Sequence, residues 1–140
     1  MKKKFFVVIE KGKNNYIGSV VGLYGCRSTA KTANKLMNGI KNTIKNYLRT
    51  DEFYPYKIDF VGVRILKTAR YKSLSFTTVI EKDRKYYTAN VPSLAGCFTQ
   101  ANTIQKLMKN VQEVISICFG LKKDFEKTGF AGIEMIEVDL

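Results

Sequence analysis

Shifted against itself by 71 residues, the chain matches without a gap, residues 5 to 48 lying on residues 76 to 119 with 16 identities in 44 positions. Phe5, Val8, Ile9, Glu10, Lys11 and Tyr16 meet Phe76, Val79, Ile80, Glu81, Lys82 and Tyr87. Further along, Leu23, Gly25, Cys26, Thr32, Leu36 and Met37 meet Leu94, Gly96, Cys97, Thr103, Leu107 and Met108. A match this long is the duplication of a whole folding unit, not a solenoid turn. Each copy has only about 65 residues with which to build a core, a length at which a lone domain is marginal, so the copies are expected to depend on each other.

The same element pattern reads off both copies. Lys4 to Lys11 is rich in Phe, Val and Ile and reads as a strand; Gly12-Lys13-Asn14-Asn15 turns it into a second strand from Tyr16 to Val21. Phe76 to Lys82, Asp83-Arg84-Lys85 and Tyr86 to Val91 repeat that hairpin. Gly25 and Gly96 mark tight turns before a short third strand. Thr32 and Thr103 then stand as N-caps, because the period changes at once to that of a helix. Ala33, Leu36, Met37, Ile40, Ile44, Tyr47 and Leu48 form one apolar face, and Ile104, Leu107, Met108, Val111, Ile115 and Phe119 form the other. Leu36, Met37, Leu107 and Met108 are expected to be buried. Ile58 to Leu66 and Phe130 to Val138 read as closing strands. The fold class is α+β, β-β-β-α-β twice: residues 1–66, a linker at 67–74, and residues 75–140.

Lys and Arg exceed Asp and Glu by 24 to 12, and the excess is uneven along the chain. Residues 1 to 74 hold 16 basic against 4 acidic side chains, and residues 75 to 140 hold 8 against 8. By this count the first copy is basic and the second near neutral, which points to different partner surfaces on one architecture. No apolar run approaches the roughly 18 residues needed to span a bilayer, and Met-Lys-Lys-Lys leads only into a strand. A cytoplasmic protein that does not engage membranes is expected. Three cysteines without metal-type spacing make neither a disulfide framework nor a zinc site, and no cofactor is implied.

From Tyr86 the second copy reads Tyr-Tyr-Thr-Ala-Asn-Val-Pro-Ser-Leu-Ala-Gly-Cys-Phe-Thr-Gln-Ala-Asn-Thr, ending at Thr103. With Pro92, Leu94, Gly96, Cys97 and Thr103 in that order, this resembles the HicB antitoxin family: an aromatic strand, Pro-x-Leu-x-Gly-Cys, then a Thr-Gln-Gly-x-Thr segment opening a helix. The first copy keeps Tyr16, Leu23, Gly25, Cys26 and Thr32 but has Val21 at the proline position. The resemblance implies a partial ribonuclease H-like fold, usually without nuclease activity. It also implies a HicA-like toxin partner, which is a small messenger-RNA-cleaving protein. Such antitoxins commonly add a DNA-binding segment after the HicB unit, and here a second HicB-like unit stands in that place. Because the toxin is basic, the neutral second copy is the better candidate to receive it.

A ribonuclease H-type centre needs clustered carboxylates to hold two metals. Glu10 and Glu81 are the carboxylates shared at aligned positions, but the first copy's other acids are only Asp51, Glu52 and Asp59, and the two glutamates read as solvated strand-end residues. With no histidine in the chain, imidazole chemistry is excluded and a cysteine nucleophile has no imidazole base. Cys26 and Cys97 read as small buried turn residues.

The polar face of the first helix is different. It carries Asn34, Lys35, Asn38, Lys41, Asn42, Lys45, Asn46 and Arg49 with no acid among them, a row suited to phosphate contacts through Lys35, Lys41, Lys45 and Arg49. A solvated helix face gives the same pattern. Arg27, Lys31, Lys57, Arg64, Lys67, Arg70 and Lys72 could widen this patch, with Tyr24, Tyr54, Tyr56 or Tyr71 stacking on bases. The sequence thus reads as a non-catalytic, HicB-like antitoxin or regulatory protein that binds a macromolecular partner. Nucleic-acid binding by the first copy is the alternative, and a degenerate metal-dependent nuclease a third reading. The two units are expected to pack as a pseudo-twofold internal dimer, alone or as a dimer of such chains.

Overall fold

The computed structural model describes residues 2–50, 58–68, 70–121 and 125–140. Its elements run β1 (Lys2–Lys11), β2 (Tyr16–Val20), β3 (Arg27–Ala30), α1 (Ala33–Thr50), β4 (Asp59–Leu66), β5 (Phe76–Lys82), β6 (Tyr87–Asn90), β7 (Phe98–Ala101), α2 (Ile104–Leu121) and β8 (Gly129–Asp139). This is β-β-β-α-β twice, with the two helices at equivalent positions of the repeat. The α+β reading holds.

Each hairpin forms where turn chemistry interrupts a β-branched and aromatic run. β1 pairs antiparallel with β2 in a register that sets Val7 opposite Val20 and Glu10 opposite Ile17, and β2 continues to β3 with Ile17 opposite Thr29. In the second copy β5, β6 and β7 repeat this, with Glu81 opposite Thr88 and Thr88 opposite Gln100. The first turn is closed by Gly12 N–H donating to Asn15 C=O at 2.9 Å. In the second, the Asp83 carboxylate accepts from the N–H groups of Lys85 and Tyr86, each at 2.7 Å.

Both helices begin on the threonines expected. The Lys35 N–H donates to Thr32 Oγ1 and the Lys106 N–H to Thr103 Oγ1, each at 3.2 Å. Each hydroxyl satisfies one of the amides that a helix start leaves without a partner. Leu36, Ile40 and Ile44 form the buried ridge of α1, and Leu107, Val111 and Ile115 that of α2. Met37 and Met108, expected inside, are only half-buried on the flank of the ridge. Their three- and four-residue spacing is shared with the core positions, but one step of roughly 100° carries them to the edge of the apolar stripe.

The closing strands depart from the order of the repeat. The two four-stranded sheets run β3-β2-β1-β8 and β4-β5-β6-β7, so the strand after α1 completes the second copy's sheet and the strand after α2 completes the first copy's sheet. The compact units are therefore Met1–Tyr56 with Phe130–Leu140, and Lys57–Gly129. Ile136 and Val138 of β8 enter the core of the first unit beside Phe5, Val7, Ile9, Leu36, Ile40 and Ile44. The equivalent Leu66 of β4 packs on the core of the second unit, around Phe76, Ile80 and Leu107.

This exchange also redistributes the charge. The first unit holds 11 Lys and Arg against 6 Asp and Glu, and the second 13 against 6, giving +5 and +7. The basic first copy and neutral second copy of the linear sequence do not survive as folded units. The acids Glu134, Glu137 and Asp139 cross into the first unit, while Arg64, Lys67, Arg70 and Lys72 fall in the second.

Candidate functional site

Three sets of residues carry the chemical possibilities of the chain, and the structure treats each differently. The first is the Leu-x-Gly-Cys turn. Gly25 and Gly96 both have φ of 78°, in the left-handed region that a side chain resists. That conformation lets the Cys26 N–H reach Leu23 C=O and the Cys97 N–H reach Leu94 C=O, each at 3.0 Å. The turn drives Leu23, Cys26, Leu94 and Cys97 into the cores. Burial pushes the Cys26 thiol up to about 11, and burial together with a hydrogen bond to Cys118 pushes Cys97 up to about 12. Burial thus favours the protonated thiol at both positions, and the motif clasps the core. Pro92 and Val21 occupy equivalent places before the turn; after Val21 comes Gly22, with φ of 86°.

The second set is the pair of shared glutamates. Expected to be solvated strand-end residues, Glu10 and Glu81 are each only 1% exposed. Phe5, Val7 and Ile9 face the helix, which puts Glu10 on the opposite sheet face with Val8, and that face is buried too. In β5, likewise, Thr77, Val79 and Glu81 are all buried on the face away from α2. Both glutamates take part in polar interactions. Among the described residues no group of three or more His, Cys, Asp or Glu side chains is placed to hold a metal ion.

The third set is the outward surface of the helices. In α1, Lys35, Lys41 and Arg49 are exposed and Lys45 is half-buried. At about 100° per residue their four directions fall within roughly 120° of arc, opposite the buried ridge. Lys41, Lys45 and Arg49 form a single i, i+4, i+8 row flanked by exposed Asn38, Asn42 and Asn46. The cations proposed to widen this patch are not all brought to the same unit. Arg27 and Lys31 are exposed in the first, whereas Arg64, Lys67, Arg70 and Lys72 belong to the second, and Lys57 lies outside the described residues. Of the candidate stacking aromatics, Tyr24 is half exposed. Tyr71 is engaged edge-on with Phe119, centroids 4.4 Å apart, and Tyr54 and Tyr56 lie outside the described residues.

A surface missed from the sequence lies on α2. Ile117 is 63% exposed and Leu121 81% exposed, one turn apart and flanked by half-buried Val114. The equivalent positions of α1 are the polar residues Asn46, Thr50 and Thr43. The signal was available: an apolar residue at 117 falls outside the three- and four-residue core pattern that Leu107, Val111 and Ile115 define.

A capped helix laid on a small antiparallel sheet, present twice with closing strands exchanged, defines a duplicated α+β protein of the β-β-β-α-β class. The chain belongs to the UPF0150 family. It is 44% identical over 66 residues to a UPF0150 protein of Archaeoglobus fulgidus, a match taking in 46% of this chain and 96% of that protein. A UPF0150 protein of Thermoplasma acidophilum is 40% identical over 67 residues, 46% of this chain and 97% of the relative, and one of Synechocystis sp. is 38% identical over 65 residues, 45% and 93%. Each match is thus about one repeat long. No protein-family model and no solved structure matches the chain. No helix among the described residues is long and apolar enough to cross a membrane.

Proposed function

We propose that this chain is a non-catalytic, HicB-like antitoxin-type protein that binds a protein partner of the HicA-like toxin class through the exposed face of α2. The observation that carries this reading is the exposed apolar stripe of Ile117 and Leu121, continued by Val114 where it packs on the core. A solvent-facing helix position that is polar in one copy and apolar in the other is explained by burial against something else. Net charge no longer selects the second unit, since the two units differ by only two charges once the closing strands are assigned. The apolar stripe does. Support also comes from the family, whose members match one repeat almost end to end. The raised thiol pKa values and the dispersed carboxylates agree with a role in binding rather than catalysis.

Co-expression with a HicA-like protein from the same genome tests it. The native chain should copurify with the toxin and relieve its growth arrest, and the double variant Ile117→Glu, Leu121→Glu should lose both while keeping its circular dichroism spectrum. Undiminished capture by that variant sinks the reading.

A second reading rests on the acid-free row of α1, as a sequence-indifferent nucleic-acid surface. With three or four phosphate contacts, log affinity should fall against log salt with a slope of roughly −3 to −4, and Lys45→Ala should reduce the slope by about one unit. Fluorescence anisotropy on duplex RNA and DNA decides it, with Lys106→Ala and Lys109→Ala on α2 as controls.

A further inference from the structure

The exchanged strands β4 and β8 are also the two long edges of the fold. Each sheet ends on one side in a four-residue strand, β3 or β7, and on the other in β8, of 11 residues, or β4, of 8 residues. Open edges of that length are templates for pairing with another chain, and proteins that stay apart usually shorten, bulge, charge or cover them. Large apolar side chains stand exposed among the charges here: Val61 and Ile65 on β4, and Phe130, Ile133 and Met135 on β8. Ile65 and Met135 are repeat equivalents, 48% and 55% exposed.

The charges on these edges are reversed between copies. Where β4 and its continuation carry Arg64 and Lys67, β8 carries Glu134 and Glu137 at the equivalent positions, and all four side chains are exposed. Arg64 lies in β4 beyond the register shift at Phe60/Gly62, Lys67 directly follows the strand, and Glu134 and Glu137 lie in β8 beyond the equivalent Gly132. Two acids three residues apart face two bases three residues apart when the edges run parallel, 134 on 64 and 137 on 67, the register that also sets Met135 beside Ile65 on the face away from the cores. A β8 edge set against another β8 edge would instead bring acids together, as would bases in a β4 pair.

We propose that β8 of one chain pairs with β4 of a second copy, joining their sheets through the Val61, Ile65, Ile133 and Met135 surfaces, with Glu134 and Glu137 matched to Arg64 and Lys67. The reversed charges exclude the two like-edge alternatives.

Sedimentation velocity on the full-length chain across micromolar concentrations tests this. The native protein should self-associate, and E134K/E137K and R64E/K67E should each sediment as monomers with unchanged circular dichroism. Mixed in equal amounts, the two variants should associate with each other, because every β8–β4 contact in the mixed species again joins opposite charges. The four-fold variant that reverses both edges should recover self-association. A native protein that stays monomeric throughout, or variants whose association is unchanged by reversal and not restored by mixing, overturns the proposal.

Discussion

Weakening β8 should loosen the first unit and spare the second, although β8 follows α2 in the chain. Ile136 and Val138 are the two side chains that β8 places in the first core, with Val138 almost completely buried. Truncating Ile136 to Ala removes three buried carbons and leaves a cavity, a change that costs about 2–5 kcal/mol at comparable sites. Val138→Ala removes two more carbons, about 1.6 kcal/mol of transfer free energy before any cavity term. Together the double variant loses roughly 4–7 kcal/mol, comparable to the whole stability of a small domain at the low end of its usual range of about 5–15 kcal/mol. Hydrogen exchange resolved by peptide mass reads where the loss falls. Peptides from β1 and α1 should lose most of their protection, while those from β5 and α2 keep theirs. Leu66→Ala is the mirror experiment: it should loosen β5 and α2 first, because Leu66 packs on the second core. Protection lost mainly from α2 in the β8 variant would show that each closing strand stays with its own repeat, and the exchanged topology would be wrong.

Leu36→Ala and Leu107→Ala should each destabilise the protein by about 2–5 kcal/mol in urea titrations, since both side chains are fully buried on helix ridges. Thr32→Ala and Thr103→Ala should each cost about 0.5–2 kcal/mol by removing the acceptor of the Lys35 or Lys106 amide, with Ser restoring most of the loss. The Cys26 thiol, raised from 9.0 to about 11 by burial, keeps its proton in the folded state after the unfolded chain has lost it. Its contribution to stability is therefore full below about pH 9 and falls as pH rises toward about 11, so a Cys26→Ala variant should show a flatter stability profile across that interval. Iodoacetamide at pH 8 should reach half-buried Cys118 well before Cys26 or Cys97, and equal labelling rates would contradict the buried turn.

The repeat made most of the local structure legible. A strand ended by Asn and Gly, a glycine needing positive φ, and a threonine before an apolar helix period each carry a residue-level cause, and each cause acts over a few neighbours. Glu10 and Glu81 stand at strand ends, where a carboxylate is expected to be solvated, and yet both are buried. The run Phe5-Phe6-Val7-Val8-Ile9 does not alternate, and from Val7 onward the strand is buried on both faces, although Phe6 is 40% exposed. Continuing that run by one residue buries the carboxylate along with it. The exposed α2 stripe and the flank positions of Met37 and Met108 have one cause: a list of apolar spacings does not by itself fix the centre of the face.

The strand exchange was not legible from pattern, and the cause is the duplication itself. Since the two sheets descend from one unit, the apolar positions of β4 fit the second sheet as well as the first, and the same holds for β8. Hydrophobic periodicity fixes which face of a strand is buried but not which of two equivalent sheets it joins. What differs between the copies at these strands is charge: Arg64 and Lys67 against Glu134 and Glu137. Summing charge along the chain merged that difference with the lysines of α1 into an apparent basic half and neutral half. Assigned to the sheets they complete, the same side chains leave both units basic and the two long edges opposite in sign. After duplication, then, divergence kept the cores nearly fixed and concentrated on the edges and outer helix faces, where a change alters what the chain meets rather than how it folds.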